Sequence, residues 1–282
     1  MNSTVQYTAE IGIIGRFDAE LQHYGFQHVL LETPFGEMNR LFLGEIEGRK
    51  VAVIYGRFDK IRTTSNEINY ELTQATFNLL GVKYILGTFV VGSIQPEIKI
   101  GEVFIPDDMV GMGNFQHTLA VGKSFKNVDM YRPFCETVRQ ALIQSATEQK
   151  IEAHPAGTYV SFHGYPRIET RAELKFYTKM GWHIVGQTLD PEATLAREAG
   201  CCYGAVAVTI DEAQTRSSFL AGNNDARSTI QDAIPTGRQK TTQIVRGVIR
   251  HLPPHDAANC NCGHKYHSEK SHFSYLPDFL LE

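Results

Sequence analysis

Short apolar runs that end in glycine, spaced by segments of helical periodicity, constrain this chain more than any other feature. Glu10 to Gly15 (EIGIIG), Lys50 to Gly56 (KVAVIYG) and Lys83 to Gly92 (KYILGTFVVG) are short and rich in Val and Ile, so they read as buried strands rather than surface helices. Between the second and third, Ser65 to Leu80 carries Ile68, Leu72, Ala75 and Leu79 at spacings of three and four. This predicts an amphipathic helix with Ser65 as N-cap and Gly81 as its stop. The second half repeats the pattern: a strand over Thr158 to His163, a helix from Thr170 to Met180, and a strand over His183 to Gly186. Asp190-Pro191-Glu192 then opens a helix that runs to Gly200, followed by a strand over Tyr203 to Ile210. Such alternation predicts an α/β fold with a mostly parallel sheet covered by helices.

No proline-rich or charge-rich linker divides the chain, so a single domain over residues 1–252 is the simplest reading, with an irregular tail over 253–282. Asp107 to Val128, rich in Gly, Asn and His, reads as a long surface loop. Gly222 to Gly237 reads as the least regular segment, with Pro235 and Gly237 interrupting a helical pattern that resumes over Gln239 to Leu252.

With 282 residues, 42% hydrophobic, and 27 Lys+Arg against 31 Asp+Glu, the formal charge of -4 offers no basic field for nucleic acid and points to a small-molecule partner. No apolar stretch reaches the roughly 18–20 residues of a membrane span, and Met1-Asn2-Ser3-Thr4 resembles neither a signal nor a transit peptide. A cytoplasmic protein with no membrane partner is expected.

Five cysteines are too few for a disulfide scaffold. Cys201 and Cys202 are adjacent, Cys260 and Cys262 are split by one residue, and Cys135 stands alone. His264, His267 and His272 make a metal site conceivable. The Cys-x-Cys spacing fits no standard zinc pattern, however, so no metal is expected and the tail reads as solvated.

Ligands of parallel α/β sheets bind beyond the carboxyl ends of the strands. Those ends carry Gly15-Arg16-Phe17-Asp18, Gly56-Arg57-Phe58-Asp59, Gly92-Ser93, His163-Gly164-Tyr165, Gly186-Gln187-Thr188 and Asp211-Glu212. The repeated Gly-Arg-Phe-Asp suggests a polar pocket with two guanidinium groups. The plainer reading is that strand ends are polar because they reach water.

Thr33-Pro34-Phe35-Gly36, Asn69-Tyr70, Val91-Gly92-Ser93, Pro166-Arg167-Ile168-Glu169-Thr170-Arg171-Ala172-Glu173, Thr188, Pro191-Glu192 and Ala196-Arg197-Glu198-Ala199-Gly200 follow the first strand in order. Together they resemble the trimeric methylthioadenosine phosphorylase and purine nucleoside phosphorylase family, over residues 10–250. The resemblance implies a central mixed, partly barrel-like sheet flanked by helices, a homotrimer, no cofactor, and cleavage of a purine from a ribose with phosphate as nucleophile. The tail's Cys260-Asn261-Cys262 is similar to a C-x-C ending that forms disulfides in heat-stable members, with partners near Cys135 and Cys201 or Cys202.

Carried over residue by residue, the resemblance makes Asp211 the catalytic group facing the purine. There it must carry or share a proton to donate to the leaving nitrogen, which an apolar pocket favours. An aspartate capping the next turn is the plainer alternative. A second aspartate of adenine-specific members is replaced by Ala213. Ile168 takes the place of a purine-stacking phenylalanine, Glu169 lies at the sugar edge, and Thr188 is retained. Gln187 replaces a methionine under the ribose, so an amide stands where a thioether is usual.

The phosphate site departs most from the family. Its Gly-Gly-Thr-Gly turn is replaced by Gly15-Arg16-Phe17-Asp18, an Arg-His-Gly segment by Gly56-Arg57-Phe58, and a Thr-Ala pair by Phe89-Val90. Each lost charge-assisted hydrogen bond is worth about 1.5–3 kcal/mol, which puts phosphate in question as co-substrate. Three readings follow. One is hydrolysis of an adenine nucleoside, with Asp18 or Asp59 orienting water beside a phenylalanine (Phe17, Phe58 or Phe89) in the vacated anion pocket. The others are phosphorolysis at an anion site rebuilt from Arg16 and Arg57, and a catalytically silent nucleoside-binding or assembly protein.

Overall fold

A computed structural model describes residues 7–57, 65–113, 117–120, 127–163, 167–213, 224–255, 260 and 262. Its centre follows the apolar runs. β1 (Ile11–Gly15) lies parallel to β4 (Arg49–Tyr55) on one side and to β5 (Tyr84–Ser93) on the other. β5 continues in parallel register with β11 (Cys202–Glu212), and its far end pairs antiparallel with β10 (Ile184–Gly186). β10 runs parallel to β9 (Thr158–Phe162).

The sheet has eleven strands among the described residues and is mixed, with parallel pairings in the majority, as expected. The longest antiparallel stretch is a hairpin, β2 (Gln27–Thr33) and β3 (Gly36–Ile46), which joins β4 at one edge. Its strands alternate exposed and buried positions weakly, because the hairpin has a wet face, so they lack the apolar runs of the centre. The central strands are buried on both faces. Ile14 and Ile85 face one apolar cluster while Ile11, Ile13, Tyr84 and Leu86 face the other, the two-residue period expected of a covered sheet.

Three local expectations are corrected. The helix after β4 is α2 (Tyr70–Leu80), and its cap is Asn69, whose side chain accepts from the Leu72 N–H at 2.8 Å. Ser65 instead opens a 3-10 turn, Ser65–Glu67. Gly81 does end α2, in the left-handed region at φ 78°. The stretch read as one long loop contains β7 (Asp108–Met112), paired parallel to β9. Finally, Pro235 and Gly237 lie inside one helix, α6 (Asn224–His251), rather than interrupting it. Gly237 packs where a Cβ would come within 2.7 Å of the Val208 side chain, so glycine here brings α6 close to β11.

The remaining helices are α1 (Asp18–His23), α3 (Glu136–Glu148), α4 (Arg171–Lys179) and α5 (Leu189–Ala199). Thr170 and Glu173 form a reciprocal capping box at the start of α4. Asp190 is the non-helical residue inside α5; its carboxylate accepts from the Thr194 hydroxyl at 2.6 Å, and burial raises its pKa. No helix among the described residues is long and apolar enough to cross a membrane.

Candidate active site

Because β1 and β4 are parallel neighbours, Gly15-Arg16 and Gly56-Arg57 leave the sheet side by side, and the Gly56 N–H donates to the Gly15 carbonyl at 2.8 Å. Gly15 itself is constrained: its φ is +148° and a Cβ would lie 1.9 Å from the Thr88 hydroxyl. Arg16 is exposed, 5.8 Å above the Tyr55 ring, whereas Phe17 turns inward and is fully buried in the core. Asp18 begins α1, and its side chain lies outside the described set. Asp59 and Phe58 lie outside the described residues altogether.

These turns form one wall of a cavity of about 580 Å³, within the roughly 300–1,000 Å³ of small-molecule sites. Ile168 and Glu169 line it from the segment before α4, Gln187 and Thr188 from the end of β10, and Asp211 from β11. All five substrate-side candidates therefore share one cavity with Arg16 and Arg57. Asp211 belongs to the strand and does not follow it: β11 extends to Glu212, with a register shift between Thr209 and Asp211 opposite the end of β5. Such a bulge re-aims the residues beside it. The Thr188 side chain makes no capping bond to α5. Gln187 accepts from the Ser65 hydroxyl at 3.3 Å, so the 3-10 turn positions this amide.

Arg57 is committed. Its Nε and Nη2 donate to the two Glu192 oxygens at 2.7 and 3.0 Å, its Nη1 donates to the Thr88 carbonyl at 2.8 Å, and its guanidinium lies 4.1 Å from the Phe89 ring centroid. Glu192, buried in the first turn of α5, also accepts from the Tyr203 hydroxyl. Burial works against the Arg57 charge, but the facing carboxylate more than offsets it and its pKa stands raised. Burial, then Glu192, pushes Tyr203 well above its ordinary value. The result is a largely buried, paired cluster whose Arg57 lies in the cavity wall.

The sequence from residue 10 to 250 matches the Phosphorylase superfamily. The chain belongs to this family. As a member of the Phosphorylase superfamily it is an enzyme of glycosyl transfer. It is similar to an S-methyl-5'-thioadenosine phosphorylase of Hyperthermus butylicus, 33% identical over 82% of this chain and 83% of the relative. A 6-oxopurine nucleoside phosphorylase of Pyrococcus furiosus is 31% identical over 79% and 84%. Among solved structures, a methylthioadenosine phosphorylase from an antarctic soil metagenomic library superposes with a TM-score of 0.78 at 29% identity, covering 89% of this chain and 90% of that one.

At this cavity, sequence reasoning misses three residues. Arg238 and Thr241 line the cavity from α6, a helix the sequence reading broke at Pro235 and Gly237. Glu192 is legible as an acid in a helix's first turn and as part of the Pro191-Glu192 motif, but nothing local to it announces a buried arginine partner.

Proposed function

We propose that the chain cleaves the N-glycosidic bond of a purine nucleoside, an adenine nucleoside such as 5'-methylthioadenosine foremost, with water as the nucleophile. Departure of the purine leaves positive charge on the sugar and negative charge on the base, so the site must protonate one and stabilise the other. Asp211 is assigned to the leaving base, Ile168 to its face, and Glu169, Gln187 and Thr188 to the sugar. The observation that carries the choice of water is the bidentate Arg57–Glu192 pair. Arg57, one of three arginines on the cavity wall, already has its charge paired and most of its donors used.

Phosphorolysis is the second reading. It is supported by Arg16 and Arg238, two further cations on the cavity wall, and by the phosphorylase names of the relatives. A homotrimer in the cytoplasm, serving purine salvage, accompanies either reading; light scattering at three chain masses checks the assembly. Incubating purified protein with methylthioadenosine, adenosine and inosine, with and without phosphate, separates the readings. Base release independent of phosphate is expected. Phosphate-dependent sugar 1-phosphate overturns water in favour of phosphorolysis, and absence of turnover leaves a silent nucleoside-binding or assembly protein.

A further inference from the structure

Four of the five cysteines meet outside this cavity. The sulfurs of Cys135, Cys202, Cys260 and Cys262 lie within 4.8 Å of one another, and Cys135, Cys202 and Cys262 are buried. They arrive from three places: Cys135 immediately precedes α3, Cys202 begins β11, and Cys260 and Cys262 come from the tail. Cys201, one residue away, turns to the other side of the sheet, accepts from Gln74 Nε2 at 3.6 Å and donates to the Val82 carbonyl.

The dimensions suit one ion. Four thiolates about 2.3 Å from a zinc ion form a tetrahedron with edges of about 3.8 Å. The sulfurs here bracket that edge, from 3.0 Å between Cys202 and Cys260 up to the 4.8 Å limit. The surroundings suit a negatively charged sulfur set. The N–H groups of Thr137 and Val138 at the start of α3 point to the Cys135 sulfur, the Cys262 N–H donates to Cys260 Sγ at 3.4 Å, and Arg197 lies close enough to act on Cys262. Apolar neighbours such as Val138 and Leu252 exclude water.

We propose that Cys135, Cys202, Cys260 and Cys262 form a closed tetrahedral thiolate site for a zinc ion, which fastens the tail to the starts of α3 and β11. Each thiol gives its proton to solvent as its sulfur binds, and no redox partner is needed. The site departs from the metal-free expectation set by the Cys-x-Cys spacing, because its other two ligands are supplied by the fold. It is structural: four protein ligands leave no open position for chemistry.

The test is elemental analysis of the full chain, expressed with zinc and purified under reducing conditions. About one zinc per chain is expected for the wild type and for Cys201→Ser, and background zinc for the double variant Cys260→Ser, Cys262→Ser. Exchange with cobalt should give the visible ligand-field and sulfur charge-transfer bands of a tetrahedral thiolate set, a readout that does not depend on the variant folding. Chelation should lower the wild-type Tm toward that of the double variant. Zinc retained by the double variant overturns the proposal. So does a zinc-free wild type whose four cysteines map to disulfides.

Discussion

The two ends of the cavity are built differently. At the end that holds Asp211, side chains come from strand termini and turns whose partners hold them at the cavity: Ser65 on Gln187, the bulge beside Asp211, the capping box behind Ile168 and Glu169. At the opposite end the backbone turn is crowded, with Thr88 against Gly15, and the central cation is withdrawn into an ion pair with Glu192. One end gathers polar side chains at the cavity lining, while the other commits its central arginine to a buried carboxylate. The proposed function assigns the first end to the nucleoside and leaves the second, where the sequence departs from the family pattern, to the nucleophile.

The largest effect should come from the substrate-side end. Asp211→Asn keeps the shape but removes the acid, and base release should fall about 10²- to 10⁴-fold with little change in Tm; unchanged turnover would erase the distinction drawn here. At the other end, Glu192→Ala strands a buried Arg57 and should cost about 3–5 kcal/mol in urea denaturation. Less than about 1 kcal/mol would mean that the pair is solvated and Arg57 available to an anion. Thr170→Ala removes the cap of α4 and should cost about 1 kcal/mol, measured the same way.

The last effect is a pH slope. Burial lowers the pKa of His163, which follows β9 beside Gln187 and Asp190, from 6.5 to about 4. The unfolded chain then binds the proton first, so the folded state loses this contribution as pH falls from about 6.5 toward 4. His163→Asn should flatten the wild-type decline in Tm across that window; an identical slope would assign the decline to other groups.

Strand identity was legible where strands are buried on both faces, because burial selects continuous apolar runs at β1, β4, β5 and β11. The hairpin β2–β3 and the strand β7 were not, since their exposed faces break the pattern. Pro235 and Gly237 misled because local breaker chemistry was overridden by the packing of α6 on β11. At the site, the residues at strand ends could be named from sequence, since a parallel sheet gathers those ends.

Sequence by itself determined the alternation of strands and helices, the family, and the set of residues at the carboxyl ends of the strands. The tertiary structure decided which of those residues line one cavity and which arginine is bound to a buried carboxylate. Pairing Arg57 with Glu192, 135 residues away, and gathering four cysteine sulfurs from α3, β11 and the tail depend on contacts remote in sequence. The near-neutral composition holds no trace of either, because burial changes the energy of a charge or a thiolate only after the chain has folded around it.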